Sequence, residues 1–196
     1  MIESVVEELA DRGWCATGAL ISAGEARELA VEAIELFARG EFRVAGVGRG
    51  SDWRLRPEIR TDRVRWIDPT RPTPAQSRYL ERMEELRLEL NRALYLGLFE
   101  FEAHLAVFPA GSFYRRHLDR SPSAPLRAVS CITYLNEDWQ AEEGGALRLY
   151  LEADRFVDVL PEIGVTALFL SDRFEHEVLP ATRDRAAVTG WFRQRG

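Results

Sequence analysis

The pattern of apolar and polar positions changes about halfway along the chain. In the first half, apolar residues recur at helical spacing in three segments, which end near Gly13, Gly40 and Leu96. From Phe99 onward, short apolar runs alternate with turn residues, a pattern typical of strands. We therefore predict helices packed outside a β-core that forms an antiparallel sandwich or barrel.

Capping residues mark the start of two of these helices. Ser22 and Glu25 have the spacing of a capping box, and Thr73 and Gln76 repeat it with Pro74 at the first helical position. A serine or threonine at this place accepts bonds from backbone N–H groups that otherwise lack partners. Both helices are therefore predicted to begin at these residues.

The remaining segments are assigned to strands and one loop. WCATGALI and residues 59–67 are predicted strands, while residues 44–57 are rich in glycine and arginine and favour an exposed mobile loop. Seven later runs are predicted strands: AHLAVFPAG, YRRHLD, RAVSCITYLN, GGALRLYL, VTALFLS, EHEVLP and AAVTGWF. No linker interrupts the pattern. We predict one domain over 1–196, with 1–98 as mainly helical support plus the loop and 99–196 as the β-core.

Composition excludes several classes of function. The net charge of -6 argues against a general nucleic-acid binder, and all 26 cationic residues are arginine, so no lysine nucleophile exists. Cys15 and Cys131 lie far apart, which disfavours a disulfide framework or a thiolate zinc site. The N-terminus does not have the pattern of a signal peptide, and no apolar run reaches membrane length. We predict a cytoplasmic protein with neither nucleic-acid nor membrane partners.

Three residues form a candidate metal site. On a strand, residues i and i+2 project to the same face, so His117 and Asp119 in YRRHLD can converge on one point. A third ligand can come from His176 or His104, and His176 begins another predicted strand. Two histidines and one carboxylate leave three positions open, as in Fe(II) oxygenases. HxD alone is a weak signal, since it is frequent by chance, and a lone histidine such as His104 is more often a core or rim residue.

Arg185 is a candidate anchor for an anion. Its parity places it on one strand face with Ala187, Thr189 and Trp191. An inward arginine on an apolar strand is costly without a partner, and guanidinium matches a carboxylate in bidentate geometry. The partner is either an anionic ligand or a protein carboxylate, or the side chain reaches solvent at a strand end.

Longer motifs resemble a known family. HLDRSP, RAVSCITYLNEDWQAEEGGALRLY and HEVLPATRDRAAVTGWF resemble the prolyl 4-hydroxylase superfamily, especially the hypoxia-inducible-factor prolyl hydroxylases and their bacterial counterparts. EIRTDRVRWID also resembles a strand of that family, and VVEELADRGWCATGALIS resembles its N-terminal helix and strand, so the likeness covers nearly the whole catalytic domain. It implies a mainly β fold with flanking α-helices, in which N-terminal helices support a double-stranded β-helix (jelly-roll, cupin-like) core. It also implies Fe(II), 2-oxoglutarate and O2, with ascorbate as a candidate stimulant.

The resemblance assigns roles by position. His117, Asp119 and His176 match the iron ligands, while Arg185 and Tyr134 match the residues that hold the far carboxylate of 2-oxoglutarate. Other positions match the co-substrate pocket, namely Thr189, Ile132 and Leu147. A further set matches substrate contacts or the pocket mouth, namely Arg127, Asp62, Arg60, Tyr114 and Trp191. An Asp–Arg salt bridge explains Asp62 and Arg127 equally well, and Tyr114 lies opposite His117 if the strand is regular.

Two departures from the family pattern stand out. Thr61 replaces a glycine, and Phe108 replaces a tyrosine near the metal-bound end of the co-substrate. The loop between Phe108 and His117 is also one residue shorter. The lost hydroxyl affects the fine details of co-substrate affinity and leaves the metal ligands and Arg185 in place.

Three functions are consistent with these residues. The first is a monomeric prolyl 4-hydroxylase of a protein substrate, for which the bacterial likeness implies a translation elongation factor as a candidate. The second is a hydroxylase of a free amino acid or small metabolite, and the third is a non-catalytic cupin-like metal-binding sensor. None needs a catalytic residue beyond the metal centre. An open groove leading to the metal would favour the first, and succinate release would exclude the third.

Overall fold

The computed structural model describes residues 2–48, 53–120, 124, 126–152 and 155–196. Within this part of the chain the helices are α1 Ile2–Arg12, α2 Ala23–Ala38 and α3 Pro74–Leu94, with a short 3-10 turn at Ala141–Glu143. The strands are β1 Trp14–Thr17, β2 Arg43–Val44, β3 Arg63–Trp66, β4 Leu98–Phe108, β5 Tyr114–His117, β6 Arg127–Tyr134, β7 Leu147–Tyr150, β8 Phe156–Val159, β9 Thr166–Leu170, β10 His176–Val178 and β11 Arg185–Gln194.

The strands form two antiparallel sheets. The large sheet has the order β1-β9-β6-β11-β4-β3-β2, and the small sheet has the order β5-β10-β7-β8. Ile132 and Ala187 of the large sheet share one buried cluster with Leu147, Leu149 and Val178 of the small sheet. The two sheets therefore pack face to face, which confirms the predicted mainly β fold with a double-stranded β-helix core.

The helices cover the other face of the large sheet. Alternate residues of β4, β6 and β11 belong to a second buried cluster, together with apolar side chains of all three helices. In β6, for example, Val129 and Cys131 contribute to the helix-side cluster, whereas Ile132 and Tyr134 face the small sheet. This alternation is the period-two pattern of a sheet that is buried on both faces.

The predicted capping boxes are confirmed. Ser22 Oγ accepts from the Glu25 N–H at 3.2 Å, and the Glu25 carboxylate accepts from the Ser22 N–H at 2.9 Å. Thr73 and Gln76 make the same reciprocal pair, with Pro74 as the first helical residue. Helix α3 ends at Leu94, slightly before the predicted end, because Tyr95 adopts a left-handed conformation with φ 53°.

The strand predictions for several segments need correction. WCATGALI is a strand only as far as Thr17, because the Thr17 side chain accepts from the Ala19 N–H at 3.1 Å and begins a turn. Strand β8 follows no predicted run. The predicted loop 44–57 begins as paired backbone, with Val44 in β2 and a bridge between Val47 and Arg54.

Some predictions concern residues that the structure does not describe. Residues 49–52 of the predicted loop, and Ser121 and Pro122 of HLDRSP, lie outside the described residues. No helix in the described part of the chain combines the length and the apolar character needed to cross a membrane.

Candidate active site

Strand pairing brings the three candidate metal ligands together. β5 and β10 are antiparallel neighbours in which His117 lies directly opposite His176, and Asp119 follows β5 by two residues. The donor atoms of these three side chains lie within 4.8 Å of one another. His117 Nε2 is 3.6 Å from Asp119 Oδ1, and His176 Nε2 is 3.5 Å from Asp119 Oδ2. The predicted His–Asp–His group is therefore present.

Both histidines are held so that Nε2 faces the carboxylate. His117 Nδ1 lies 2.7 Å from the Arg115 carbonyl oxygen, and His176 Nδ1 lies 3.2 Å from the Phe174 carbonyl oxygen. A carbonyl only accepts, so each Nδ1 carries the proton and each Nε2 keeps its lone pair. This arrangement of metal-binding histidines fixes both the tautomer and the ring orientation.

The electrostatics also fit a divalent cation. Burial lowers the pKa of His176 to about 4, and the neighbouring His117 adds to the shift. Burial alone raises the pKa of Asp119, but His176, His117 and Arg127 outweigh it and hold the pKa well below its ordinary value. At neutral pH the group offers a neutral imidazole and an ionised carboxylate, the donor chemistry of non-haem iron sites.

Arg185, at the start of β11, is a buried cation. Only 2% of its surface is exposed, and burial lowers the pKa of its guanidinium. Its Nε donates to the Gly145 carbonyl oxygen at 2.9 Å, but it forms no ion pair with a carboxylate of the described residues. Of the alternatives open from sequence, a contacting carboxylate is absent from the described residues and solvent does not reach the guanidinium, which has only the more distant charge of Asp62. A buried guanidinium in these surroundings is suited to an anionic ligand.

The glycine pair before β7 makes this geometry possible. Gly145 has φ +72°, and a Cβ there would come within 2.9 Å of Ala181 and 3.4 Å of the Arg185 side chain. Gly144 has φ +71°, and its Cβ would lie 2.6 Å from the Pro180 carbonyl oxygen. The GGALR motif therefore reflects a tight backbone approach that other residues would prevent.

Two aromatic rings flank the Arg185 guanidinium. The Tyr134 and Phe108 rings each lie 5.0 Å from it. The Tyr134 hydroxyl is buried, has no hydrogen-bond partner among the described residues, and has its pKa raised to about 12 by burial. A buried hydroxyl next to an uncompensated cation fits a site for a carboxylate.

A single cavity of about 60 Å³ joins the metal ligands to Arg185. This cavity is also lined by the three residues that the resemblance assigns to the co-substrate pocket, namely Ile132, Leu147 and Thr189. The five residues predicted near the substrate also line it: Arg60, Asp62, Tyr114, Arg127 and Trp191. The cavity opens beside a larger cleft of about 570 Å³, which residues of β2, β3 and the segment after β2 also border.

The charged residues on the substrate side are paired with one another. Arg60 holds Asp62 through two bonds of 2.7 and 2.6 Å, and Asp62 is fully buried. Arg127 donates to Glu102 at 2.9 Å and its guanidinium lies 3.4 Å from the centre of the Trp191 ring. Salt bridges thus account for both Asp62 and Arg127, although each has a different partner.

Tyr114 and His117 lie on the same face, because β5 is not a regular strand. Their rings stack at 3.6 Å with an interplanar angle of 17°, and the Arg60 guanidinium lies 4.2 Å from the centre of the tyrosine ring. The pairing with β10 shifts here, since Tyr114 opposes Val178 while His117 opposes His176. The extra residue in β5 forms a bulge that brings both rings to one face.

His104 is the core or rim residue that the sequence favours. His104 is not a member of the metal group among the described residues, but it is buried in the cavity wall, with its ring 4.8 Å from that of Trp66. Its parity with Phe108 along β4 could have indicated this. Glu102, which accepts from Arg127, is a further neighbour of the site, and no sequence motif marks it.

Comparisons with known proteins agree with this geometry. Residues 103–193 match the family described as the 2OG-Fe(II) oxygenase superfamily. The chain is 35% identical to human Egl nine homolog 1 over 69% of its length, and it spans about a third (33%) of that protein. The name of this family refers to Fe(II) and 2-oxoglutarate. The His–Asp–His group is suited to hold the iron, and Arg185 is suited to bind a carboxylate of 2-oxoglutarate.

Solved structures extend the likeness to the whole chain. A Pseudomonas putida prolyl-4-hydroxylase is 43% identical, with a TM-score of 0.90 and 100% of both chains covered. A Trichoplax adhaerens prolyl hydroxylase, solved with a hypoxia-inducible-factor peptide fragment, is 26% identical with a TM-score of 0.87, covering 98% of this chain and 89% of that one. The chain therefore belongs to the 2OG-Fe(II) oxygenase superfamily and is related to prolyl hydroxylases of bacteria and animals.

Proposed function

We propose that this protein is a 2-oxoglutarate-dependent hydroxylase of prolyl residues in a polypeptide substrate. One observation carries the proposal most directly: the His117–Asp119–His176 group and the uncompensated Arg185 line the same buried cavity. A metal site alone would not need a buried cation nearby. A metal-chelating dicarboxylate would use both.

The co-substrate site follows from this arrangement. We assign the far carboxylate of 2-oxoglutarate to Arg185, with the unpartnered Tyr134 hydroxyl as a second donor. Ile132 and Leu147 form apolar walls, and Thr189 is a half-buried hydroxyl on the same face. Phe108, at the position where the family pattern has a tyrosine, supplies a ring 5.0 Å from the guanidinium.

Bound together, iron and 2-oxoglutarate supply the activation of dioxygen and the hydroxylation of a C–H bond. The residues of the chain hold the ligands and exclude water. His117 and His176 present Nε2 because their Nδ1 protons face carbonyl oxygens. Asp119 supplies the negative charge of the ligand set. No additional general base is required.

The open cleft supports a polypeptide substrate. It measures about 570 Å³ and continues from the metal group along β2 and β3, whereas a small metabolite is better enclosed by a closed pocket. Trp191, stacked under Arg127, and Tyr114, stacked under Arg60, give the rim rigid aromatic surfaces. The Trichoplax structure, with its bound peptide, adds support. A translation elongation factor remains the first protein to test.

The competing functions fit less well. A hydroxylase of a free amino acid shares the metal centre, but it leaves the extended cleft without a role. A non-catalytic sensor does not explain why Arg185 is buried without a carboxylate. Cytoplasmic location, a monomeric state and a single domain stay predictions.

Succinate release tests the proposal. The chain is incubated with Fe(II), 2-oxoglutarate, ascorbate and a proline-containing peptide from an elongation factor. We expect peptide-stimulated succinate release that is lost in His176→Ala and Arg185→Met. Arg193→Met is the matched control, because Arg193 also lies on β11 but pairs with Glu100 and Glu102 and does not line the cavity.

Each outcome has a distinct meaning. Stimulation by free amino acids and not by peptides favours the metabolite hydroxylase. No succinate with any substrate, from protein that binds metal, favours the sensor. Equal losses in Arg185→Met and Arg193→Met would contradict the assignment of the co-substrate site.

A further inference from the structure

Behind the Asp119 carboxylate lies a pair of buried serines that the site described so far does not use. Ser130 is on β6, Ser171 directly follows β9, and both have 0% exposed surface. Ile132 and Tyr134, the next residues of the same parity on β6, belong to the buried cluster between the sheets. A serine hydroxyl that is buried on this face of β6 is unfavourable unless it is hydrogen-bonded.

The hydrogen bonds of the two serines run in one direction. Ser130 Oγ donates to Asp119 Oδ2 at 2.7 Å, because an ionised carboxylate can only accept. Ser171 Oγ lies 2.8 Å from Ser130 Oγ. Since Ser130 has a single hydroxyl proton, which goes to Asp119, Ser171 donates to Ser130. The result is an ordered relay, Ser171 to Ser130 to Asp119, in which each bond polarises the next.

Backbone bonds anchor the relay at both ends. The Ser171 N–H donates to the Ala128 carbonyl oxygen at 3.0 Å, and the Ser171 carbonyl accepts from the Arg120 N–H at 3.0 Å. Arg120 follows Asp119 directly, and Ala128 lies on the same strand as Ser130. These two bonds therefore fix Ser171 relative to the strand that carries Ser130 and to the residue that follows Asp119.

We propose that Ser130 and Ser171 are positioning residues that set the orientation of the Asp119 carboxylate, so that it binds iron through one oxygen. Ser130 donates to Oδ2, which lies 3.5 Å from His176 Nε2, and leaves Oδ1, 3.6 Å from His117 Nε2, as the oxygen without this bond. A carboxylate that bound through both oxygens would fill a position that the co-substrate and dioxygen need. This inference rests on the metal site of the proposed function.

Metal titration of the metal-free chain tests the relay without any turnover. Co(II) is the probe, with the dissociation constant from calorimetry and the coordination number from the d–d absorption. We expect Ser130→Ala to weaken Co(II) binding by about 10- to 100-fold. Its absorption should also weaken, because a second carboxylate oxygen enters the coordination shell. Ser130→Thr keeps the hydroxyl and should restore both, while Ser171→Ala should give a smaller loss in the same direction.

Thr133→Val provides the matched control. Thr133 is equally buried on β6 but faces the helices, where its Oγ1 lies 3.0 Å from Thr166 Oγ1. This variant should lower the stability of the fold and leave Co(II) affinity unchanged. Equal losses of affinity in Thr133→Val and Ser130→Ala would overturn the proposal, as would wild-type affinity and spectrum in Ser130→Ala. If Ser130→Ala does not fold, wild-type affinity in Ser171→Ala overturns it.

The result is separable from the proposed function. If the protein hydroxylates a peptide but Ser130→Ala binds Co(II) normally, only the relay is wrong. If the relay variants lose Co(II) affinity but no peptide is ever hydroxylated, only the function is wrong.

Discussion

The two faces of the large sheet differ in how their polar groups are satisfied. On the helix side, the Tyr79 hydroxyl lies 3.2 Å from Thr133 Oγ1, which in turn lies 3.0 Å from Thr166 Oγ1. On the cavity side, Arg185 has no carboxylate and the Tyr134 hydroxyl has no partner among the described residues. One face is complete by itself and supports stability. The other leaves a buried cation and a buried hydroxyl that a ligand would satisfy, so substitutions on the two faces should have different effects.

The largest expected effect on stability belongs to the helix side. Phe192 is fully buried there, with its ring 4.6 Å from Phe101. Phe192→Ala should lower the free energy of unfolding by about 3–5 kcal/mol, because it leaves a cavity in a closed cluster. Urea denaturation measures this loss, and Co(II) affinity of the folded fraction should not change. A loss under about 1 kcal/mol would show that this face is not tightly packed.

Arg185→Met should have the opposite effect to Phe192→Ala, with little change in stability and a large loss of ligand affinity. Removing a buried cation that lacks a protein carboxylate should leave the stability of the ligand-free protein unchanged or higher. The affinity for 2-oxoglutarate should fall by about 2–5 kcal/mol, because the ligand carboxylate loses its partner. Calorimetry with Mn(II)-loaded protein and urea denaturation measure the two quantities. A large loss of stability with normal 2-oxoglutarate affinity would make Arg185 a structural residue.

Thr133→Val probes the hydroxyl network of the helix side. The substitution leaves the buried Tyr79 hydroxyl without its 3.2 Å partner. We expect a loss of about 1–3 kcal/mol in the free energy of unfolding. Thr133→Ser, which keeps the hydroxyl, should lose less in the same urea measurement. Equal losses in the two variants would show that packing of the methyl group, and not the hydrogen bond, is responsible.

The smallest effect concerns the thiol on the helix side. Burial raises the pKa of Cys131 to about 12, so the folded protein holds almost no thiolate at pH 8 and should resist iodoacetamide. Because the pKa is raised in the folded state, the thiol stabilises the fold fully below the unfolded pKa, and this contribution is lost as pH rises towards 12. Mass spectrometry of the protein after treatment with iodoacetamide measures how much of Cys131 is alkylated. Rapid labelling of Cys131 without denaturant would indicate an open helix layer.

The sequence predicts well those features that depend on neighbouring residues. The capping boxes at Ser22 and Thr73 are local, and the same-face spacing of His117 and Asp119 needs only one strand. The pairing of His176 with His117 depends on which strands become neighbours, so the family resemblance, and not the spacing, identified the third ligand.

Other features depend on contacts between distant segments and were not predicted. The bulge in β5 is visible only from its pairing with β10, so the sequence could not show that Tyr114 and His117 share a face. Likewise, nothing in the sequence shows that Asp62 pairs with Arg60 and Arg127 with Glu102. The Ser130 relay joins two strands and a loop that only the folded sheet brings together.

Prolyl hydroxylation itself is tested most directly by mass spectrometry of proteins from cells that produce either the natural chain or Arg185→Met. We expect at least one protein, with an elongation factor examined first, to carry an added oxygen on a proline only in cells with the natural chain. If no protein carries the added oxygen, or if cells with Arg185→Met carry the same modified proline, prolyl hydroxylation by this chain is contradicted.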